Sequence, residues 1–272
     1  MIAALIAAAS TAMWTPSMPP QRLIPDAKPA LWVVNDEDTI IYLFGTFHAL
    51  DGRSNWFNDE VMTAFSASDE LILETIIPEP GMPATVAPPL TGPRMSPVGR
   101  FAGSASFLST SKAVMSVGRS QGMSIDAGAD TVLRNAAQEV GKPVAGLESF
   151  DYQLDMFSRL PGASTQSKVA PAASVAIQTK AAAASLLTRL QTAWTQGDTN
   201  SFSSMLEQMR SRSPETYKLL FLDRNARWAG WIANRLQQPG TVFIAVGAGH
   251  LAGRDSVQMR LSDLRIRSQR IN

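Results

Sequence analysis

Four short, mostly apolar segments, each followed closely by one ionisable side chain, constrain the fold of this chain more than any other feature of its sequence. The segments and the residues that follow them are 39–44 with His48, 71–73 with Glu74, 143–147 with Glu148, and 241–246 with His250. Short apolar runs between turn residues are typical of buried strands, and strands that alternate with helices favour a parallel sheet. We therefore predict an α/β fold with a mixed, mainly parallel sheet flanked by helices.

The other predicted elements lie between and around these strands. Residues 32–34 and 39–44 enclose a polar turn, which predicts a β-hairpin. Asp130 is the predicted N-cap of one helix, and Ser213 and Pro214 mark the start of a longer one. Apolar periodicity and capping residues predict helices at 58–66, 130–140, 152–160, 176–194 and 214–238, and a helix with a final edge strand between 257 and 271.

The sequence predicts one main domain, residues 30–272, preceded by a distinct N-terminal segment, residues 1–29. Residues 2–9 of that segment are apolar and small, as in the central part of a secretory signal, although no basic residue precedes Arg22. We therefore expect a periplasmic or secreted protein, and a cytoplasmic location stays open. Seven prolines between 78 and 111 predict a Pro-rich insertion into the domain.

The composition excludes several classes of protein. With 24 basic and 23 acidic residues the net charge is +1, which argues against a nucleic-acid-binding protein. The chain has no cysteine, so disulfides, cysteine-ligated metals and thiol nucleophiles are excluded. No apolar run reaches the roughly 20 residues that a membrane-spanning helix needs. Histidine chemistry must use His48, His250 or both, because the chain has no other histidine.

Both histidines stand three residues after a glycine that follows an apolar segment, in Gly45-x-x-His48 and Gly247-x-x-His250. Glycine accounts for only 18 of the 272 residues, so chance alone poorly explains the shared spacing. Glycine at the end of a strand permits a positive φ and a close approach of the backbone to a ligand. We therefore expect each histidine to lie over the edge of the sheet.

Ligands of open α/β sheets bind beyond the carboxyl ends of the strands, so parallel neighbours would bring His48, Glu74, Glu148 and His250 into one crevice. Two imidazoles and two carboxylates suit a divalent ion such as Mn²⁺, Co²⁺ or Zn²⁺, with one glutamate left as a general base for water. Structural roles also stay open, namely packing for the histidines and ion pairing or helix capping for the glutamates. Arg224, Asn225 and Arg227 of the long helix before the final strand could also face the crevice. Arg224 is a candidate clamp for a substrate carboxylate or carbonyl, or these residues form a solvated helix face.

Several motifs resemble those of the TraB/GumN family. They are Leu31-Trp32-Val33-Val34, Leu43-Phe44-Gly45-Thr46-Phe47-His48, Leu73-Glu74, Gly146-Leu147-Glu148 with Gln153, Arg224-Asn225, and Val246-Gly247-Ala248-Gly249-His250-Leu251-Ala252-Gly253. The similarity spans about residues 30–272. It implies two related halves, each of which contributes one Gly-x-x-His to a shared site.

The relatives of this family suggest three functions. The Tiki proteins are proteases supported by Mn²⁺ or Co²⁺, which implies a metal-dependent, peptidase-like hydrolase of the bacterial cell envelope with a peptide or small-molecule substrate. In that leading hypothesis the four strand-end residues hold the ion and, with Arg224, form the catalytic site. Erythromycin esterases imply a metal-free esterase instead. The ChaN-like and GumN relatives imply a non-catalytic protein that binds haem or iron or assists polysaccharide assembly.

Overall fold

The computed structural model describes residues 26–77, 89–92, 116–160 and 173–272. Residues 1–25 of the predicted N-terminal segment lie outside the described residues, as does the predicted insertion 78–111 apart from residues 89–92. The strands are β1 (Leu31–Asn35), β2 (Thr39–Thr46), β3 (Glu70–Thr75), β4 (Val144–Glu148), β5 (Gly240–Gly247) and β6 (Gln269–Arg270). The helices are α1 (Asp59–Ala67), α2 (Ala129–Glu139), α3 (Phe150–Ser158), α4 (Ala173–Thr195), α5 (Thr199–Arg212), α6 (Pro214–Tyr217), α7 (Asp223–Arg235) and α8 (Val257–Asp263), with a π-helical turn (Lys218–Leu222) and a 3₁₀ turn (Ala248–Leu251).

The strands form one sheet in the order β4-β3-β5-β2-β1-β6. Strands β4, β3, β5 and β2 are parallel to one another, whereas β1 pairs antiparallel with both β2 and β6. Parallel neighbours need crossover connections, and the helices supply them: α1 joins β2 to β3, and α2 precedes β4. The predicted mixed, mainly parallel sheet, the β1–β2 hairpin and the final edge strand are therefore confirmed.

Helices cover both faces of this sheet, because alternate residues along the buried strands are apolar on each side. On one face Phe44, Leu71 and Phe243 pack against α1, α2, α5 and the end of α4. On the other face Ile72 and Ile244 pack against α7 and α8. Full burial of one such side chain stabilises the fold by about 1.5–3 kcal/mol. The second layer holds α7, which carries Arg224, against the sheet.

The long helix predicted from Pro214 is present with a local irregularity. Pro214 occupies its first turn as predicted, the π-helical turn interrupts it, and α7 then continues to Arg235, three residues short of the predicted end. π-helical turns inside α-helices occur frequently at functional sites. Trp228 and Ile232 face the sheet and are fully buried, which leaves the first turn of α7 above the sheet edge.

The carboxyl ends of the parallel strands lie level with one another. Glu148 of β4 pairs with Thr75 of β3, and Gly247 of β5 pairs with Thr46 of β2. Every segment that leaves these strands therefore starts from the same edge of the sheet. None of the helices in the described ranges combines the length and the apolar character that a membrane crossing requires.

Candidate functional site

The structure brings three of the four predicted strand-end residues around a single backbone position, Gly247. A methyl group built on Gly247 would lie 3.4 Å from Oε2 of Glu74, 3.5 Å from Nε2 of His48 and 3.7 Å from Cδ2 of His250. The fourth residue, Glu148, ends the strand beside Glu74 and is linked to it through Arg224. The convergence follows directly from the parallel strand order.

His48 is the exposed member of the site and is held by a carboxylate. Its Nδ1 atom lies 2.7 Å from Oδ2 of Asp130, and Oδ1 of Asp130 accepts a hydrogen bond of 2.8 Å from the hydroxyl of Thr46. The His48 side chain is 65% exposed, which leaves Nε2 accessible from the crevice. The charge of Asp130 raises the pKa of His48 to about 9.

The predicted role of Asp130 as a helix N-cap is wrong. Helix α2 begins at Ala129, its N-cap is Gly128, and Asp130 lies in the first turn. The backbone approach is close here, because the Ala129 amide donates a 3.0 Å hydrogen bond to the carbonyl of Phe47. Asp130 therefore faces the loop after β2 rather than its own helix terminus, and it orients His48.

Arg224 occupies the centre of the site, between the two glutamates. Its Nη2 donates to Oε1 of Glu74 at 2.6 Å and to Oε2 of Glu148 at 2.8 Å, and its Nε donates to both oxygens of Glu148 at 3.0–3.1 Å. The side chain is only 3% exposed, so the expectation of a solvated helix face is wrong. The ion pairing predicted as a structural role for the glutamates is present.

Arg224 and Glu74 each favour the charged form of the other. Burial alone would raise the pKa of Glu74, but Arg224 and the two imidazoles together hold it well below its usual range. Burial likewise opposes the charge of Arg224, but the two carboxylates raise its pKa above the usual value. Gln153 donates to Oε1 of Glu74 at 3.0 Å, and the Gly247 amide donates to Oε2 at 3.1 Å. The carboxylate of Glu74 therefore stays ionised, and Arg224 stays charged.

His250 differs from His48 in its burial and in its partners despite the shared motif. It is buried, and its ring lies between those of Phe221 and Trp228, at centroid distances of 4.9 and 4.4 Å. Its Nδ1 lies 2.5 Å from Oδ1 of Asn225 and its Nε2 lies 3.2 Å from Nη1 of Arg224. Both histidines lie at the edge of the sheet as expected, but His48 is exposed there and His250 is buried.

The hydrogen-bond partners of His250 show which of its ring nitrogens carries the proton. The amide nitrogen of Asn225 donates to the carbonyl of Asp255, so Oδ1 of Asn225 is left as an acceptor and the proton of His250 lies on Nδ1. The lone pair on Nε2 then accepts from Arg224, which can only donate. Burial, with the charge of Arg224, lowers the pKa of His250 to about 3, so this imidazole is neutral.

The glycines of the two motifs serve close approach and not a positive φ. Neither Gly45 nor Gly247 is among the glycines with positive φ, so that part of the prediction is wrong. A Cβ atom on Gly45 would lie 3.2 Å from Cα of Ala248, which shows how closely the loop after β5 crosses β2. At Gly247 the space that a side chain would fill is the floor of the crevice.

The four predicted metal ligands do not fit a shared ion while Arg224 holds this position. Its N–H groups face Nε2 of His250 and both oxygens of Glu148, the atoms that an ion would need. Nε2 of His48 and Oε2 of Glu74 remain as donors facing the crevice. Within the described ranges no group of three or more His, Asp or Glu side chains is arranged to hold an ion. Metal use stays a prediction that experiment must test.

The structure adds residues that the sequence did not assign to the site. Thr46 supports Asp130, and Tyr152 accepts a 2.6 Å hydrogen bond from Nη2 of Arg227. Arg227 follows Arg224 by three residues, so helical periodicity alone places both on one face of α7. No comparable signal in the sequence marks Thr46 or Tyr152.

Comparison with known proteins identifies the same family as the sequence motifs. The profile of the TraB/PrgY/gumN family matches residues 30–88 and 94–269. The match includes both Gly-x-x-His motifs, both glutamates and Arg224. No curated protein and no solved structure matches the chain. Because the family profile covers most of the sequence, the chain belongs to the TraB/PrgY/gumN family.

Proposed function

We propose that the protein is a hydrolase of amide or ester bonds in which His48 transfers the proton. The observation that carries this proposal is the pairing of Nδ1 of His48 with Asp130, which leaves Nε2 accessible beside Glu74 and the open floor at Gly247. An imidazole oriented by a carboxylate on one nitrogen and accessible on the other is suited to general acid–base catalysis.

The proposed reaction uses the neutral form of His48. Nε2 accepts a proton from a water molecule while the water oxygen bonds to the carbonyl carbon, and Asp130 stabilises the imidazolium that forms. When the tetrahedral intermediate collapses, the bond to the leaving nitrogen or oxygen breaks and His48 returns the proton to that atom. The negative charge of Glu74 favours the same imidazolium, because it too raises the pKa of His48.

Arg224 has a positioning role in this proposal. It keeps Glu74 ionised and fixes both glutamates through hydrogen bonds, and Nε2 of His250 accepts a hydrogen bond from Arg224. A glutamate whose pKa is lowered and whose oxygens accept from Arg224 is a weak base, so the proposal assigns the basic role to His48 instead of to Glu74.

The second candidate function is the metal-dependent hydrolase that the sequence favours, with a divalent ion bound in the same crevice. Nε2 of His48 and Oε2 of Glu74 converge on Gly247, and these are donor types that Mn²⁺, Co²⁺ and Zn²⁺ accept. An ion bound there would polarise a carbonyl or lower the pKa of water. Use of His250 as a third ligand would require Arg224 to leave its Nε2. The signal-like segment supports placing either activity in the cell envelope.

The test is a screen of peptides and esters with the purified protein, repeated with a chelator and with added Mn²⁺, Co²⁺ or Zn²⁺. We expect hydrolysis that survives chelation and falls about 10²–10⁴-fold in His48→Ala. Arg254→Gln, at an exposed arginine outside the site, is the control for charge. Activity unchanged in His48→Ala overturns the proposal.

Metal content of the wild type and of His48→Ala/His250→Ala, measured by mass spectrometry, separates the two candidates. Stoichiometric metal in the wild type alone, with activity lost on chelation, supports the metal-dependent candidate. Absence of hydrolysis together with a Soret band on haem titration would favour the haem-binding alternative.

A further inference from the structure

We propose that Arg227, together with Tyr152, binds a carboxylate of the substrate, and that the substrate is an extended molecule such as a short peptide whose carboxylate lies several residues from the hydrolysed bond. This inference rests on the proposed hydrolase and specifies its substrate class. It assigns Arg227 a role in specificity that is separate from the role of Arg224 in positioning.

The hydrogen bonds of Arg227 leave much of its donor capacity unused. Nη2 donates to the hydroxyl of Tyr152 at 2.6 Å, and the guanidinium lies 5.3 Å from the centre of the same ring. Nε is buried without a hydrogen-bond partner, and Nη1 has none among the described residues. The side chain is 33% exposed although its Nε is buried, so an anion reaches the guanidinium from its Nη end.

The ion pair between Arg227 and Glu148 does not explain why an arginine occupies position 227. The two groups are 3.4 Å apart, at the long end of the hydrogen-bond range, whereas Arg224 already contacts both oxygens of Glu148 at 3.1 Å or less. A guanidinium with unpaired N–H groups is suited to a planar carboxylate, which it can bind through two parallel hydrogen bonds. The hydroxyl of Tyr152 accepts from Arg227, so its own proton is available to the same anion.

The strand order sets the distance between this anion site and the reacting bond. Arg227 lies above the end of β4, beside Glu148, and His48 follows β2. Nε2 of His48 reaches Gly247 at the end of β5, and β3 lies between β5 and β4, so the two sites are about two strand spacings apart, or about 10 Å. An extended peptide advances by about 3.3–3.6 Å per residue. About three extended residues therefore span the crevice from Arg227 to Nε2 of His48.

The test measures binding, so that it does not depend on catalysis. Two probes, N-acetyl-tetra-alanine with a free carboxylate and the same peptide with a terminal amide, are titrated calorimetrically against the His48→Ala protein. We expect the acid to bind at least tenfold more tightly than the amide. Adding Arg227→Gln should remove that difference, whereas adding Arg254→Gln, a matched change of charge at an exposed arginine, should preserve it.

Three results overturn the proposal: equal affinity for the acid and the amide, a preference that survives Arg227→Gln, or no binding of either probe. Tyr152→Phe supplies a second measure, because loss of one hydrogen bond should weaken acid binding several-fold without changing amide binding. If the wild type hydrolyses no substrate but His48→Ala still prefers the acid, the proposed hydrolase fails while the carboxylate site stands.

Discussion

The imidazole of His48 and the carboxylate of Asp130 lie 2.7 Å apart although 82 residues separate them in the sequence. The contact exists because the loop after β2 crosses directly over the first turn of α2, where the Ala129 amide binds the Phe47 carbonyl. Asp130 is thereby placed to fix which nitrogen of His48 faces the crevice and to stabilise its charged form.

The first prediction concerns the titration of the two histidines. We expect one imidazole, His48, to titrate at about pH 9, and the other, His250, to stay neutral down to about pH 3. Because the chain has only two histidines, nuclear magnetic resonance of their ring protons assigns both curves once His48→Ala removes one. Asp130→Asn should move the midpoint of His48 toward its ordinary value of 6.5, because it removes the charge that raises the pKa.

The same shift determines the pH dependence of activity. A general base must be neutral, so kcat/KM should rise with pH up to about 9 and should level off at a lower pH in Asp130→Asn. The ion pair between His48 and Asp130 stabilises the fold below pH 6.5, and this stabilisation is lost as the pH rises through 9. It amounts to less than about 1 kcal/mol, because the His48 side chain is exposed to solvent. A midpoint for His48 near 6.5 in the wild type would contradict the assigned contact.

The second prediction concerns Arg224 and the folded state. Arg224→Met leaves the fully buried carboxylate of Glu148 and that of Glu74 without their main cation, so we expect a loss of about 3–5 kcal/mol in the free energy of unfolding by urea. Arg224→Met/Glu148→Gln should lose less than Arg224→Met, because the uncompensated charge is smaller. A loss below about 1 kcal/mol in Arg224→Met would show that the pair does not stabilise the fold.

This contribution also has a defined pH window. The pKa of Glu74 is lower in the folded protein than its ordinary value of 4.5, so the stabilisation is present above that pH and is lost as the pH falls. The difference in stability between the wild type and Glu74→Gln should therefore shrink in acid. A difference that is constant between pH 7 and pH 3 would contradict this origin.

The sequence predicts where the site lies because local patterns determine it. Alternating apolar strands and helices imply parallel neighbours, and the ends of parallel strands meet at one edge, so the approach of His48, Glu74 and His250 to each other needs no knowledge of packing. The partners of Arg224, by contrast, do not follow from the strand order. Helical periodicity identifies the face of a helix that carries a residue, but it does not identify the partners that the residue meets across the sheet.

Two residues show why local signals also mislead. An aspartate near the start of a helix suggests capping, and this local explanation concealed the long-range contact of Asp130 with His48. His48 and His250 share a motif but not an environment, because the ring of His250 packs against Phe221 and Trp228, whereas the side chain of His48 is largely exposed. Tertiary packing decides which imidazole is exposed.

The third prediction concerns the floor of the crevice. Gly247→Ala places a methyl group 3.4–3.7 Å from Glu74, His48 and His250, which is ordinary contact distance, and the φ of −50° suits alanine. We therefore expect a stability within about 1 kcal/mol of the wild type but at least about tenfold lower kcat/KM, because the methyl group fills the space that the reacting group needs.

Gly230→Ala is the matched control for this substitution. Gly230 lies in α7, and a methyl group there meets nothing within 4 Å. Alanine inside a helix stabilises it by up to about 1 kcal/mol, and activity should be unchanged. If Gly247→Ala retains full activity on the substrate found in the screen, the reacting group does not lie at Gly247 and the proposed site is misplaced.

The last prediction concerns the contact that orients His48. A Cβ atom on Gly128 would overlap the carbonyl oxygen of His48, and only movement of the loop after β2 or of α2 can relieve that overlap. Gly128→Ala should therefore separate Asp130 from His48, lower the midpoint of His48 from about 9 toward 6.5 and cost about 1–3 kcal/mol of stability. Gly118→Ala is the control, because its methyl group would lie at an ordinary 3.7 Å from Met123. If Gly128→Ala folds and the titration midpoint of His48 stays at about 9, the close approach of the loop after β2 to α2 is not what holds His48 and Asp130 together.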